Sequence, residues 1–340
     1  MQWIRQISPW SIITLLSGSM LAILLPKYSE LGVKFSNWLV EHFTTVHIIF
    51  FSIVIEALPF VLIGVIGSFL LEIFVSPELI RKLLPKSLLP AVVVSGLLGV
   101  IFPFCECGLV PIIRKLIEKG VPAHLAVVML LTIPIVNPIV GLATSYAFYS
   151  QPEIVAFRLG GAFVIAIIIG LVTLAIWGKK SILIKGKSNH CACGCSHSNT
   201  GLGVGRISGA INHCLDEFFS IMKYLIIGAL MAAIMQVYIP REWLNLLGGN
   251  SEVSVGVMMI AAFFLSICSG ADAFVASTFV NTFTAGALVT FLVYGPMIDL
   301  KNLLMLRAVF KTRFVLYLVT IVSITVFSYG ILINQLGVIR

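Results

Sequence analysis

Residues 102–111 read FPFCECGLVP, and this stretch is the basis for interpreting the rest of the chain. It places Cys105, Glu106 and Cys107 between two prolines and beside Gly108, within strongly apolar sequence. Proline and glycine both disfavour an uninterrupted helix. Because lipid has no water to satisfy a broken backbone, a break at membrane depth persists only where protein or a polar cavity surrounds it. An ionisable residue at such a break indicates a functional site.

The composition is that of a membrane protein. The chain has 340 residues, of which 59% are hydrophobic and 11% charged, whereas soluble domains carry roughly a quarter charged residues. Long apolar runs favour helices over barrel strands, which are short and alternate. The first such run, residues 10–25, lacks a clear cleavage motif and is expected to remain as an anchor. The sequence therefore predicts an all-α integral membrane protein, a polytopic helical bundle.

The charged residues argue against a nucleic-acid-binding protein, and the cysteines argue against a secreted disulfide-rich protein. The net charge is +8, but the basic residues lie in short loops between apolar runs, which indicates membrane topology and no nucleic-acid partner. The seven cysteines fall inside apolar runs or in one central basic loop. That distribution does not resemble the disulfide framework of a secreted protein.

The FPFCECG stretch separates two arms that are each too short to span a bilayer. Residues 88–104 are apolar and residues 109–120 are amphipathic, and both fall short of the roughly 20 residues that a span needs. We therefore predict a re-entrant or short-helix hairpin with its tip at the cysteines. A second pair of short arms, residues 253–268 and 271–282, surrounds the sequence SICSGADAF at 266–274.

Three matches in the same order predict an internal repeat. FSIVIEALPFVLIG at 51–64 resembles FSIMKYLIIG at 219–228, and Cys105 and Cys107 correspond to Cys268. Pro134-x-x-Asn137 corresponds to Pro296-x-x-Asp299 with a similar offset. The expected divisions are an N-terminal anchor helix and external loop at 1–45, a first membrane repeat at 46–177, a cytoplasmic Cys/His-rich loop at 178–215 and a second membrane repeat at 216–340.

The distribution of lysine and arginine predicts the orientation. With the N-terminus and the central loop in the cytoplasm, most basic residues fall on the cytoplasmic side, and few, Arg158 among them, fall outside. The first hairpin then starts and ends inside, and the second outside. The two halves become inverted-topology repeats, an arrangement typical of secondary transporters. The expected location is the plasma or inner cell membrane, with several passes.

The quoted motifs resemble a known family. CECG-x-VP, IPIVNP and CSGADAF are similar to sequences of the ArsP-like predicted-permease family over residues 45–335. The resemblance implies export, by a carrier, of a solute with a soft, thiol-reactive centre such as a trivalent organoarsenical. It also implies roles for Cys105, Cys107, Pro134 and Asn137, and it extends to Cys268 and Asp272 through the second motif.

The chemistry of the candidate site residues leaves alternatives open. Thiolates are soft donors that suit As(III), Cu(I), Zn or sulfur species, but buried cysteines also serve as small packing residues. Carboxyl groups in low dielectric take up protons more readily, so Glu106, Asp272 or Glu56 could couple transport to protons, or could simply cap a half-helix. Asn137 and Asp299 follow prolines and either line the path or satisfy a kink. The candidate binding and translocation residues are Glu56, Cys105, Glu106, Cys107, Asn137, Cys268, Asp272 and Asp299.

Lys301 stands two residues from Asp299, inside an apolar run. The simplest interpretation is that the two side chains form a neutralising pair, because a lone charge at membrane depth is costly.

The central loop carries HCACGCSH at 190–197. Three thiols and two imidazoles within eight residues suit a soft or borderline metal, and the C-x-C-x-C spacing is tighter than that of structural zinc fingers. We expect no tightly bound cofactor but capture of Cu, Zn or As(III) by this loop, unless it is an inert spacer. The candidate ligands are His190, Cys191, Cys193, Cys195 and His197.

The preferred function is a permease, a secondary transporter that exports a trivalent arsenical, a soft metal or a sulfur species through the cysteines. The alternatives are a channel-like conductor of a small solute and a membrane thiol-redox protein. No P-loop for a primary pump and no nucleotide or haem signature is visible, so an enzyme is not expected. The expected partners are the soft solute, the lipid bilayer, a cytoplasmic metal or thiol donor protein and a second copy of the chain.

Overall fold

A computed structural model describes residues 30–74, 87–102, 104–178, 182–184, 204–238 and 251–337, with the backbone alone for 30–41, 72–74, 204–217 and 251. These residues form twelve helices, which are numbered in chain order. The first six are α1 (Glu30–Phe74), α2 (Leu88–Ile101), α3 (Glu106–Glu118), α4 (Ala123–Thr132), α5 (Pro138–Ala147) and α6 (Glu153–Trp177). The second six are α7 (Val204–Tyr238), α8 (Ser251–Leu265), α9 (Asp272–Ser277), α10 (Ala285–Met297), α11 (Leu300–Val309) and α12 (Thr312–Leu336).

The described part of the chain is a helical membrane domain. Five segments are long and apolar enough to cross a membrane, namely His42–Leu71, Glu153–Trp177, Phe218–Tyr238, Ala285–Val309 and Thr312–Leu336. Among the described residues, β-structure amounts to one isolated antiparallel bridge between Leu183 and Phe310. The predicted class of polytopic all-α membrane protein is thereby confirmed.

The segment made of α10 and α11 lies at the centre of the domain. The most apolar stretch of Ala285–Val309 is 89% buried inside the protein, against 28% for the corresponding stretches of α1 and α12. On α1, Ile48 and Ile55 remain 66% and 69% exposed. Isoleucines on an outer helix are compatible with contact to lipid. The polar backbone groups of the central segment must instead form their hydrogen bonds within the protein.

Each set of six helices has the same order of lengths and breaks. In each set, a long helix is followed by a short apolar helix, and after a break comes a shorter helix. Two helices separated by a further break follow, and the set ends with a 25-residue helix. Several packing pairs also correspond, because α4 packs on α2 and α6 as α10 packs on α8 and α12. The reciprocal pairs α3–α11 and α9–α5 join the two sets. The inversion of the halves and the re-entry of the short helices stay predictions.

Two glycines allow neighbouring helices to approach closely. A Cβ on Gly108 of α3 would lie 2.5 Å from the carbonyl oxygen of Phe60 on α1. A Cβ on Gly228 of α7 would lie 2.8 Å from Cα of Lys301 on α11. Real side chains do not tolerate such distances, so glycine at these positions sets the backbone contacts α1–α3 and α7–α11.

Two expected division points differ from the helix boundaries. The division at 45–46 lies inside α1, which is one continuous helix from Glu30 to Phe74. The polar loop expected at 178–215 overlaps α7, which begins at Val204. Apolar residues at 204, 207, 211 and 215 follow helical spacing, and this local pattern prevails over the Gly/Ser-rich composition. The anchor run at 10–25 and the cluster at 190–197 lie outside the described residues.

Candidate functional site

A cavity of about 400 Å³ lies between the break that separates α2 from α3 and the break that separates α8 from α9. These are called the first break and the second break below. The first break contributes Cys105, and α3 adds Glu106 and Cys107. The second break contributes Cys268, while α1 adds Glu56 from the side. The cavity therefore joins the two cysteine motifs, which are about 160 residues apart in the sequence.

The first break presents its acidic residue at a helix start. Cys105 is the N-cap of α3 with an extended backbone (φ −76°, ψ 165°), and Glu106 is the first helical residue. A carboxylate in the first turn interacts favourably with the helix dipole. Cys107 is buried, Cys105 is half-buried, and both residues line the cavity. An acid in the first turn of α3 and two cavity-lining cysteines are thus combined in one short segment.

The second break is held by contacts with α11. Ser266 has a positive φ of 47°, which is uncommon for a residue with a side chain. Its hydroxyl oxygen accepts a hydrogen bond of 3.1 Å from the Leu300 amide, and its carbonyl oxygen accepts one of 2.9 Å from Lys301 Nζ. Cys268 follows two residues later, is half-buried and lines the cavity together with Glu56. The beginning of α11 therefore positions the turn that carries Cys268.

Lys301 bridges two buried carboxylates. Its Nζ lies 3.1 Å from Oε1 of Glu106 and 3.3 Å from Oδ2 of Asp299. The expected pair with Asp299 is observed, and the contact with Glu106 adds a link from α11 to the first cysteine motif. Lys301 also lines the cavity, which the sequence did not indicate.

Asp272 lies behind the cavity wall in an ion pair with Arg158. One guanidinium nitrogen of Arg158 donates to both Asp272 oxygens at 2.9 and 2.7 Å and to the Ser269 carbonyl oxygen at 2.9 Å. The other terminal nitrogen donates to Thr144 Oγ1 at 2.8 Å. Arg158, which the sequence counted among the external basic residues, lies within α6 with its side chain 0% exposed, and its nearness to the outer side stays a prediction. The sequence feature that could have predicted this buried ion pair is the presence of an arginine within the apolar run 154–177.

Asn137 and Asp299 both cap helices after a proline-induced break. The Asn137 Oδ1 accepts a hydrogen bond of 2.9 Å from the Val140 amide at the start of α5. The Asp299 Oδ1 accepts one of 2.6 Å from the Asn302 amide at the start of α11. These are the N-cap bonds that an asparagine or aspartate makes. Asn137 also faces the cavity, so it combines the two roles that the sequence left open.

The structure brings together most of the predicted site residues. Those that line the cavity are Glu56, Cys105, Glu106, Cys107, Asn137 and Cys268. The polar residues that line it without having been predicted are Ser52, Gln236, Ser266, Ser269 and Lys301. Asp272 and Asp299 stand behind the wall and contact it through Arg158 and Lys301. The proposed loop ligands His190, Cys191, Cys193, Cys195 and His197 lie outside the described residues. Within the described residues, no group of three or more His, Cys, Asp or Glu side chains could hold a metal ion.

Comparison with known proteins supports a transport role for this domain. The family described as "Predicted permease" matches residues 42–335. The "UPF0718 protein YcgR" of Bacillus subtilis is 44% identical over 292 residues, which cover 86% of this chain and 98% of that protein. The "Putative two-component membrane permease complex subunit" of Streptococcus mutans is 40% identical over 286 residues, 84% of this chain and 94% of that protein. The chain matches no solved structure.

Proposed function

Because the chain belongs to the predicted-permease family, we propose that it is a secondary transporter that exports a soft, thiol-reactive solute through the cavity between the two helix breaks. The observation that carries the proposal is that Cys105, Cys107 and Cys268 line one cavity. Thiols prefer soft centres such as trivalent arsenic or reactive sulfur. Three of them around one space provide the selectivity that a soft solute requires.

The dimensions and composition of the cavity fit a small solute. A space of about 400 Å³ is within the range of ligand sites, which are mostly apolar with a few placed polar groups. Apolar walls from Ile49, Ile53 and Phe60 alternate with Ser52 and Glu56 along α1. An organic substituent on the solute would contact the apolar wall while its soft atom contacts a thiol.

The positions of the breaks support alternating access. Discontinuous helices that meet near the middle of a membrane domain are typical of secondary transporters built from inverted repeats. Here each half supplies one cysteine-containing break to the cavity. The helix after each of these breaks begins with an acid, Glu106 in α3 and Asp272 in α9. Movement of one half against the other would open the cavity to opposite sides in turn.

A second subunit is part of the proposal. The Streptococcus mutans relative is described as a subunit of a two-component membrane permease complex. We extend that assembly to this chain, with the partner protein either delivering the solute or completing the path. The cytoplasmic donor of metal or thiol and the homo-oligomer expected from the sequence are alternative partners.

A thiol-redox role is the second candidate. Cys105 and Cys107 are free cysteines that line the same cavity, where an oxidant could join their sulfur atoms. The two candidates differ in a simple respect: a redox protein cycles between dithiol and disulfide forms, whereas a transporter moves solute with its thiols reduced. Trapping the oxidation state of these cysteines during turnover separates them.

The experiment that tests the transport proposal is a resistance and transport screen. A strain without its own exporters would express the chain and be exposed to trivalent arsenicals, antimonials, copper, zinc and thiosulfate. Export predicts lower cellular accumulation of at least one soft solute, and the same solute should enter inside-out vesicles. A flat response across the panel, with the protein present in the membrane, would contradict the proposal.

A further inference from the structure

Beside the cavity, two buried carboxylates share one ammonium group. Glu106, Asp299 and Lys301 are 1%, 0% and 4% exposed, and both acids lie within 3.3 Å of Lys301 Nζ. In contrast, Asp272 has its own cation, Arg158. With all groups ionised, the cluster of Glu106, Asp299 and Lys301 therefore carries one negative charge in excess. Burial of an uncompensated charge is strongly unfavourable, so the cluster requires one further positive charge.

Unpaired oxygen atoms are found in the same cluster. Oε2 of Glu106 and Oδ1 of the adjacent Asn302 are buried without a hydrogen-bond donor, whereas Oδ2 of Asp299 has the Lys301 ammonium at 3.3 Å. Buried polar atoms are normally hydrogen-bonded, so each exception needs an explanation. Both unpaired atoms are acceptors, and an acceptor is satisfied by a proton or a cation. The excess charge and the unpaired acceptors therefore point to the same missing group.

Within the described residues, the ion pairs of Glu106 and Asp299 are those with Lys301 alone. From α1, Glu56 adds another acid across the cavity, and from α3 the neighbours are the thiols Cys105 and Cys107. From α7, Gly228 faces Lys301, with Lys223 about one turn earlier on that helix. Asp272 of α9 is directed to Arg158 of α6. On α12, the Tyr317 hydroxyl is directed to Thr173.

We propose that Glu106 and Asp299, beside Lys301, form a site for one exchangeable monovalent cation, either a proton or Na⁺, and that this cation is coupled to solute movement. Oxygen donors suit a hard cation, and the charge deficit is one. The coupling part rests on the proposed function, whereas cation binding can be measured without any solute. Glu106 lines the cavity between the two thiols, so solute there contacts a group whose charge depends on the cation.

Lys301 competes for this site. Its ammonium occupies a position between the two carboxylates and the Ser266 carbonyl oxygen, which an added cation would share or take over. Removal of the ammonium leaves two negative charges with the same oxygen atoms. The Lys301→Gln variant should therefore bind the cation more tightly than the parent, whereas a purely structural ion pair would only lose stability.

The test measures thermal unfolding of the purified full-length protein in lipid. One series varies Na⁺ against choline at fixed pH, and the other varies pH without Na⁺. A rise in Tm with Na⁺ alone identifies Na⁺, and a rise as the pH falls identifies a proton. In both cases Glu106→Gln and Asp299→Asn should remove most of the response, since each keeps the shape and Asn keeps the helix cap.

Two further variants complete the design. Asp272→Asn is the matched control, because it removes a buried carboxylate that already has its own cation, and the cation response should persist. Lys301→Gln should shift the half-saturating cation concentration to lower values by about tenfold or more, as expected for removal of an adjacent like charge. A parent whose Tm responds to neither Na⁺ nor pH would overturn the proposal, as would an unchanged response in Glu106→Gln. If the parent responds to the cation but transports no solute, only the proposed function is contradicted.

Discussion

Arg158 and Asp272 form a fully buried ion pair that joins the two halves of the domain, with Nη2 2.7 Å from Oδ2. Its counterpart is the ion pair of Lys301 with Glu106, at 3.1 Å. In each pair the acid begins a helix after a break and the base comes from the opposite set of six helices. The two breaks are therefore connected to the opposite halves by charge. A movement that opens the cavity must either carry these pairs intact or separate them.

Loss of the Arg158 side chain should destabilise the protein severely. Arg158→Met leaves Asp272 buried without a cation, and removal of one partner of a buried pair costs about 3–5 kcal/mol. The measurement is the free energy of unfolding in detergent or lipid. The double variant Arg158→Met/Asp272→Asn should recover part of the loss, because no uncompensated charge remains. Equal destabilisation by the single and double variants would show that the pairing itself is unimportant.

Serine at both Cys105 and Cys107 should abolish most soft-solute transport while the protein still inserts. A hydroxyl keeps the small polar shape but is a poor ligand for a soft centre. We expect transport to fall by about tenfold or more, which corresponds to about 1.4 kcal/mol of binding. Ser52→Ala is the control, since it removes a cavity-lining polar atom and leaves the three thiols. Parent-like transport by the double serine variant would make these cysteines packing residues.

Substitution of Ser266 should separate backbone strain from hydrogen bonding. Ser266→Ala keeps the positive φ but leaves the buried Leu300 amide without its acceptor, at a cost of about 1–3 kcal/mol. Ser266→Val should cost more, because a β-branched residue is disfavoured at φ 47°. Thermal unfolding of both variants checks the order. A valine variant as stable as the alanine variant would mean that the turn is not strained.

The central loop should capture a soft metal. Titration of the full-length protein with Cu(I), Zn or As(III) should protect thiols, and the triple variant Cys191→Ser/Cys193→Ser/Cys195→Ser should lose that protection. Transport should weaken or change its regulation, while folding is retained. Free-thiol counting with a maleimide reagent is the measurement. Protection that is identical in the parent and the triple variant would assign the effect to the cavity cysteines and remove the metal role of the loop.

Single added cysteines should report the orientation of the chain. A cysteine at position 190 should be reached only from the cytoplasm, and cysteines at positions 151 and 245 only from outside. Labelling of whole cells with a membrane-impermeant thiol reagent is the measurement, with lysed cells as the control for reactivity. External labelling at 190 would contradict the predicted inversion of the two halves.

The sequence by itself determined the properties that depend on local composition. Hydropathy established a helical membrane protein, and the FPFCECG motif located the first break and its thiols. The parallel motifs Pro134-x-x-Asn137 and Pro296-x-x-Asp299 marked two helix starts that cap in the same way. Each of these features is encoded within a few consecutive residues, where backbone preferences and burial in lipid act directly on the residues concerned.

Only the tertiary structure decided which charges meet. Arg158 and Asp272 are 114 residues apart in sequence, and Glu106 and Lys301 are farther still. A buried charge needs a partner in space, and its neighbouring sequence can indicate a partner two residues away, such as Asp299 for Lys301, but not a distant one. For Asp272 and Asp299 the sequence left open a place on the solute path or a role at a helix start, and in the structure they pair with Arg158 and Lys301 outside the cavity lining. The same long-range packing brought Cys268 to the cavity that Cys105 and Cys107 line, because α11 fixes the turn before it.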